Sequence, residues 1–245
     1  MSRELLPDEH VATFYDNGWI TDVLYPVKSG KEATVYCCRA HPRTGQRLLA
    51  LKVYRELRSR SFRNDAVYTE GRFRRETHEL RAMRKKTAKG REFQFGAWLG
   101  HEYETMRTLH AAGANVPRPI TAGENAILME YVGDVESAAP PLQSVVLLPN
   151  EAEQLFTVAM RNVELMLGCN LIHGDLSAYN LLYWQGRLTM IDFPQAIDPR
   201  FNNGAYSLLQ RDVENLYRYF RRCGVQADPV RLAGRLWDRF VRSQL

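Results

Sequence analysis

Two strings carry the residues best suited to chemistry: His173-Gly174-Asp175-Leu176-Ser177-Ala178-Tyr179-Asn180 and, further on, Ile191-Asp192-Phe193. An Asp five residues before an Asn, with a second Asp twelve residues later beyond two short strand-like runs, is the spacing of a phosphoryl-transfer catalytic loop. The residue types fit that reaction. A nucleophilic oxygen needs a carboxylate to orient it and take its proton, the role expected of Asp175. A triphosphate needs a hard divalent cation, Mg²⁺ or else Mn²⁺, which prefers oxygen ligands, and Asn180 and Asp192 would supply them. Leu182 and Ile191 are read as positions lining the nucleotide. A chance loop with an Asx turn and a buried Asp would explain a lone His-x-Asp, but not four spaced matches.

Upstream, Ala50-Leu51-Lys52-Val53 ends a strand-like run and matches the context of a lysine that pairs the α- and β-phosphates. Such a lysine needs a carboxylate on the first long helix. Glu102 is the first candidate, and Glu104, about 200° further round an ideal helix, is the second. In Leu128-Met129-Glu130-Tyr131-Val132, a strand leaves the first lobe as in a kinase hinge, where the Glu130 carbonyl and Val132 amide would read an adenine edge with Met129 behind it. An ordinary buried strand end is the alternative there. The stretch Lys28-Ser29-Gly30-Lys31-Glu32-Ala33-Thr34-Val35 holds one glycine where a G-x-G-x-x-G loop has three, so Ser29 and Lys31 are expected to contact phosphate, with Val35 beside them. Asp212 lies on a helical pattern with Val213, Leu216 and Phe220. A charged residue on such a face is usually paired, so Asp212 is expected either to support the catalytic loop from behind or to be simply exposed.

These residues need elements to hold them. A short helix over 8–18 precedes three strand-like runs, VLYPV, ATVYCC and LLALKVY. A helical pattern over about 93–112 puts Phe95, Trp98, Leu99, Met106, Leu109 and Ala112 on one side and stops at Gly113. Two strands meet at Ala122-Gly123-Glu124-Asn125, and a helix over 150–168 is expected to be capped by Asn150. Two further strands, Leu181–Tyr183 and Leu188–Asp192, flank Gln185-Gly186, and the chain is helical from about Ala205. Strands first and helices later indicate an α+β domain in two lobes: an N-lobe over about 19–132, a hinge at 130–134 and a C-lobe over 135–245.

The 245 residues are 45% hydrophobic and 25% charged, near the globular average, which excludes collagen-like, disordered and coiled-coil classes. No run reaches the ~18 apolar residues of a membrane helix, the first ten residues lack a secretory apolar core, and four cysteines stand at no metal-ligand spacing. A reduced, cytoplasmic chain is the expectation, without a membrane partner. Charge is uneven: Arg55 to Arg91 hold 13 Lys or Arg against 5 Asp or Glu, a surplus of +8, and the rest of the chain sums to −3. That block is either an RNA or acidic-partner patch or a solvated loop.

Taken together, Ser29–Ala33 in place of a glycine-rich loop, His173–Asn180, Ile191-Asp192-Phe193-Pro194-Gln195 and Gln210–Leu216 resemble the RIO family of atypical serine/threonine kinases over roughly 20–222. The resemblance implies a trimmed two-lobed protein-kinase fold, an N-lobe of antiparallel sheet plus helix, and a mainly helical C-lobe, with ATP bound between the lobes. It implies Lys52, Glu130, Val132, Asn180 and Asp192 as nucleotide or metal contacts and Asp175 as proton acceptor. Within the family the metal-loop Asp can itself take phosphate, which makes Asp192 a candidate aspartyl-phosphate. The stretch at about 56–92 resembles the family's flexible basic insertion, and archaeal and eukaryotic members serve assembly of the small ribosomal subunit. Too few residues precede the first strand for a winged-helix domain, so that branch is not expected, and the short chain without acidic tails looks more like a bacterial-type member. The 53 residues after Asp192 contain no Ala-Pro-Glu string. Without the region that holds a peptide in ordinary protein kinases, the acceptor stays open between protein (a substrate or the chain itself), water in an ATP-driven switch, and a small molecule as in aminoglycoside or choline phosphotransferases.

Overall fold

The computed structural model describes residues 8–55 and 88–245. The described residues form two compact units, one of residues 8–55, 88–104 and 117–138 and one of 105–116 and 139–245. The basic segment lies outside the described residues up to position 87. Its last part, placed in a flexible insertion reaching 92, is instead helical from Ala88.

In the first unit, α1 (Asp8–Asp16) leads into a five-stranded antiparallel sheet: β1 (Ile20–Ser29), β2 (Ala33–Ala40), β3 (Leu48–Tyr54), β4 (Pro119–Ala122) and β5 (Ala126–Glu130), in the order β1-β2-β3-β5-β4. Alternation along β3 sorts its side chains. Leu49, Leu51 and Val53 pack with Val11 and Phe14 of α1, Ile20, Val23, Cys38 and Leu128 into one core. Ala50, Lys52 and Tyr54 face the other way. Through the register, Val35 pairs with Lys52, and Cys37 and Met129 both pair with Ala50, so these residues share that second face. Cys37 and Cys38 therefore point to opposite sides, and both are buried because each face of the sheet is covered.

The helix α2 (Ala88–Ala111) begins in the first unit and ends in the second. Leu99, Met106 and Leu109 of its expected apolar side are buried, whereas Ala112 lies beyond the helix and is exposed. Gly113 follows in the left-handed conformation (φ +80°).

The second unit holds α3 (Pro149–Gly168), the hairpin β6 (Leu181–Trp184) and β7 (Arg187–Met190), α4 (Ala205–Arg222) and α5 (Pro229–Val241). Helix α3 is not capped by Asn150. Leu148 is the N-cap without a side-chain bond, and Pro149 opens the helix because its ring already fixes a helical φ. Gln185 (φ +48°) and Gly186 (φ +77°) make a two-residue turn with both residues left-handed, which suits the twist of the β6–β7 hairpin. Strand β7 stops at Met190, two residues before the expected end at Asp192, because Asp192 itself is left-handed (φ +74°). Among the described residues, no helix is long and apolar enough to cross a membrane.

Candidate active site

In the first unit, Lys52 Nζ donates to Glu102 Oε1 at 2.7 Å, with the two side chains 13% and 1% exposed. Glu104 is exposed. The other Glu102 oxygen accepts the Tyr54 hydroxyl at 2.6 Å. Tyr54 meets the Trp98 ring edge-on at 4.9 Å, which ties the end of β3 to α2 one turn before Glu102. Burying a carboxylate is tolerable only because both oxygens are occupied. Tyr54 was legible in principle, since residues two apart in a strand share a face.

Around this pair, Val35 and Met129 lie on the Lys52 face of the sheet. The Glu130 amide donates to the Arg118 carbonyl (2.8 Å), and its carboxylate accepts the Arg118 amide (3.0 Å), so side chain and N–H of Glu130 both serve the β4 edge. Val132 is half-buried. Just before it, the Tyr131 hydroxyl meets that of Tyr25 on β1 at 3.1 Å. Burial raises the Tyr131, Tyr25 and Cys37 pKa values, which keeps all three neutral. Gly133 (φ +141°) then turns the chain so tightly that a Cβ there would lie 2.5 Å from the Ser137 carbonyl. Ser29 and Lys31 are exposed at the β1–β2 connection, where Ser29 Oγ accepts from Arg55 at 2.8 Å.

In the second unit, left-handed Gly174 (φ +80°) folds the His173–Asn180 loop back over α4. The Gly174 and Leu176 amides donate to the two carboxylate oxygens of Asp212 at 2.8 and 2.9 Å, and the Arg211 guanidinium donates to the Gly174 carbonyl. Asp212 is thus the support behind the loop. Its burial pushes its pKa up to about 7, against the pull of the two amides. Asp175 stands exposed between them. Its carbonyl accepts Asn180 Nδ2 at 2.8 Å, which orients the Asn180 amide and leaves Oδ1 as that side chain's oxygen for a cation.

The chain entering Asp192 is bound at each step. Met190 N–H donates to the Asn115 carbonyl (2.7 Å), and Ile191 N–H to the Asn180 carbonyl (3.0 Å). The Ile191 carbonyl lies 3.1 Å from His173 Nε2. The Asp175 amide donates to His173 Nδ1 at 3.4 Å, so the proton is assigned to Nε2, which donates to Ile191. A left-handed non-glycine residue costs on the order of 1–3 kcal/mol and persists where its surroundings over-determine it, as they do at Asp192. Leu182 and Ile191 are both half-buried and flank this segment. Asn115 and the buried Asn162 beneath it were not among the sequence candidates, because neither carries a motif.

The RIO-domain family model matches residues 34–232, most of the chain. This chain belongs to the RIO family. A RIO-type serine/threonine-protein kinase Rio1 of Haloferax volcanii is 34% identical over 206 residues, covering 83% of this chain and 64% of that one. The serine/threonine-protein kinase rio1 of Schizosaccharomyces pombe is 31% identical over 210 residues, covering 84% of this chain and 40% of that one. The RIO chain described here therefore spans less than two thirds of these relatives' length. Its fold matches the crystal structure of the Rio2 kinase–ADP/Mg²⁺–phosphoaspartate complex from Chaetomium thermophilum, with a TM-score of 0.64 at 21% identity, over 99% of this chain and 72% of that one. The fold is the kinase-like α+β fold expected from the sequence.

Proposed function

We propose that this RIO-family chain transfers the γ-phosphoryl group of ATP, with Mg²⁺, as a serine/threonine-type protein kinase, an ATPase working through Asp192, or both. The observation that carries this reading is the hydrogen-bonded union of the Asp175–Asn180 loop with the Ile191–Asp192 segment. It collects one carboxylate for the acceptor and two oxygen donors for a cation. Mg²⁺ is usually held by one or two carboxylates plus substrate phosphates, and the Asp192 carboxylate together with the Asn180 amide oxygen fits that pattern. Bound there, Mg²⁺ would offset charge on the phosphates.

In this reading Lys52, held by Glu102 and Tyr54, positions the α- and β-phosphates, and Ser29 and Lys31 contact phosphate. Val35, Met129, Leu182 and Ile191 line the nucleotide, while the Glu130 carbonyl and Val132 amide read the adenine edge. Asp175 orients an acceptor hydroxyl and takes its proton. In the ATPase branch, a carboxylate oxygen of Asp192 forms a bond to the γ-phosphorus as the bond to the β–γ bridging oxygen breaks, and ADP leaves. Water then hydrolyses the acyl phosphate and returns the carboxylate, phosphate and a proton. The Chaetomium Rio2 complex contains phosphoaspartate with ADP and Mg²⁺, which supports this branch. The basic 55–91 segment is the proposed contact for RNA or the small ribosomal subunit, in a cytoplasmic setting. A variant lacking residues 58–86 that binds an RNA oligonucleotide with the parent's affinity and salt slope would remove that idea.

The deciding experiment mixes the protein with Mg²⁺ and γ-labelled ATP, beside Asp175→Ala. Acid-stable label on Ser or Thr identifies a kinase. Free phosphate with hydroxylamine-labile label on the protein identifies an Asp192-linked ATPase. Neither product, with no ATP binding, overturns the reading.

A further inference from the structure

We propose that Asn162 is a positioning residue for Asp192, acting through the backbone of Asn115. The proposal rests on the reading of Asp192 as a metal-binding and phosphoryl-transfer group.

Asn162 lies in the middle of α3, 4% exposed, among Leu155, Ala159, Val163 and Met166 on the buried face of that helix. An apolar residue would fill such a position without the desolvation an amide carries, so the amide is explained by what it holds. Its Oδ1 accepts the Asn115 N–H at 2.7 Å, and its Nδ2 donates to the Val158 carbonyl at 3.0 Å. Asn115 in turn makes two bonds to β7: its carbonyl accepts Met190 N–H at 2.7 Å, and its Nδ2 donates to the Leu188 carbonyl at 3.2 Å. Strand β7 has β6 as its partner on one edge, and Asn115 serves these two groups beyond that pairing. Because the Asn115 side chain is itself exposed, water can compete for its amide, and the buried anchor is Asn162.

The consequence falls at Asp192, two residues beyond Met190. Met190, paired with Leu181 of β6 on one edge, is held on its other edge by this relay. Loosening Asn115 therefore frees the end of β7, and the Asp192 carboxylate loses its fixed direction while Asp175 and Asn180 keep theirs.

The test uses the full chain with Asn162→Ala, the conservative Asn162→Gln, which keeps an amide acceptor and donor, and Asn115→Ala, which removes the side-chain bond and leaves the backbone ones. Hydrogen–deuterium exchange without nucleotide reads residues 188–193 against α4. Asn162→Ala should speed exchange at 188–193 about tenfold with α4 unchanged, Asn162→Gln should restore part of the protection, and Asn115→Ala should give a smaller increase. In Mg²⁺ titrations of ATP turnover, Asn162→Ala should raise the Mg²⁺ requirement about 10-fold, the low end for groups that orient metal ligands, with KM for ATP little changed. Unchanged exchange at 188–193, an equal rise in α4, or an unchanged Mg²⁺ requirement would each overturn the proposal. If the parent neither binds nor turns over ATP, the phosphoryl-transfer reading fails, and the exchange pattern still decides whether Asn162 orders the segment before Asp192.

Discussion

The candidate residues of the two units are held by opposite means. Lys52 in the first unit sits on a regular strand and is fixed by side chains: a buried carboxylate, a tyrosine hydroxyl and the rings behind it. Asp175, Asn180 and Asp192 sit outside helix and strand, in segments whose neighbouring backbone groups are bound by Asp212, His173 and Asn115. A strand already sets where a side chain points, so the remaining task is to balance charge. A loop sets nothing by itself, so its amides and carbonyls must be anchored one at a time.

The sharpest way to separate the two units is to remove the proposed proton acceptor while sparing its frame. Asp175→Ala should lower turnover about 10²–10⁴-fold and leave nucleotide binding, read by calorimetry, close to the parent's, because the Asp175 bonds to His173 and Asn180 are made by its backbone. Turnover equal to the parent's would break the assignment.

Next in size is the charge balance of the first unit. Lys52→Met leaves Glu102 buried without its cation, a change worth about 3–5 kcal/mol at a buried pair. Adding Glu102→Gln should recover part of that loss in urea denaturation. A strictly additive double variant would mean that the pair is not coupled.

The frame of the second unit should respond to pH instead. Asp212 has its pKa raised to about 7 by burial, above its ordinary 3.8. A raised folded-state pKa makes the stability contribution greatest below about pH 4, and it is lost as pH rises through 7, at up to about 1.4 kcal/mol per pH unit. Asp212→Asn should flatten the dependence of the urea midpoint between those limits, and an unaltered profile would place the titration elsewhere. The smallest effect is expected at Arg239–Glu164, a half-exposed pair at 2.6 Å. Arg239→Ala should change stability by less than about 1 kcal/mol, which calibrates the larger values.

The difference between the two units also explains what could be read before folding. Lys52, Glu102 and Asp212 were legible because strand alternation and helix spacing convert position into direction. The turn at Gln185-Gly186 was legible from its residue types. The left-handed state of Asp192 was not, since an Asp after an apolar run reads as the continuation of a strand. The Asn115–Asn162 relay was equally silent: two of its bonds join residues 47 and 73 apart, and each of its contacts uses a backbone atom that carries no sequence signal. The cap of α3 went to Leu148 and Pro149 because a proline's fixed φ outweighed the side-chain oxygen of Asn150.

The adjacent thiols of β2 have a practical consequence for labelling. Cys37 and Cys38 are both fully buried, and burial raises both pKa values, so neither presents a thiolate at neutral pH. Cys169 and Cys223 are only half-buried, at the C-terminal ends of α3 and α4. Burial raises the Cys169 pKa too, so a thiol-reactive fluorophore or spin label added to the folded protein will mark these two helix ends, slowly at Cys169, and leave the sheet unmodified. The wild-type chain thus carries two reporter positions in its second unit with no cysteine engineered or removed.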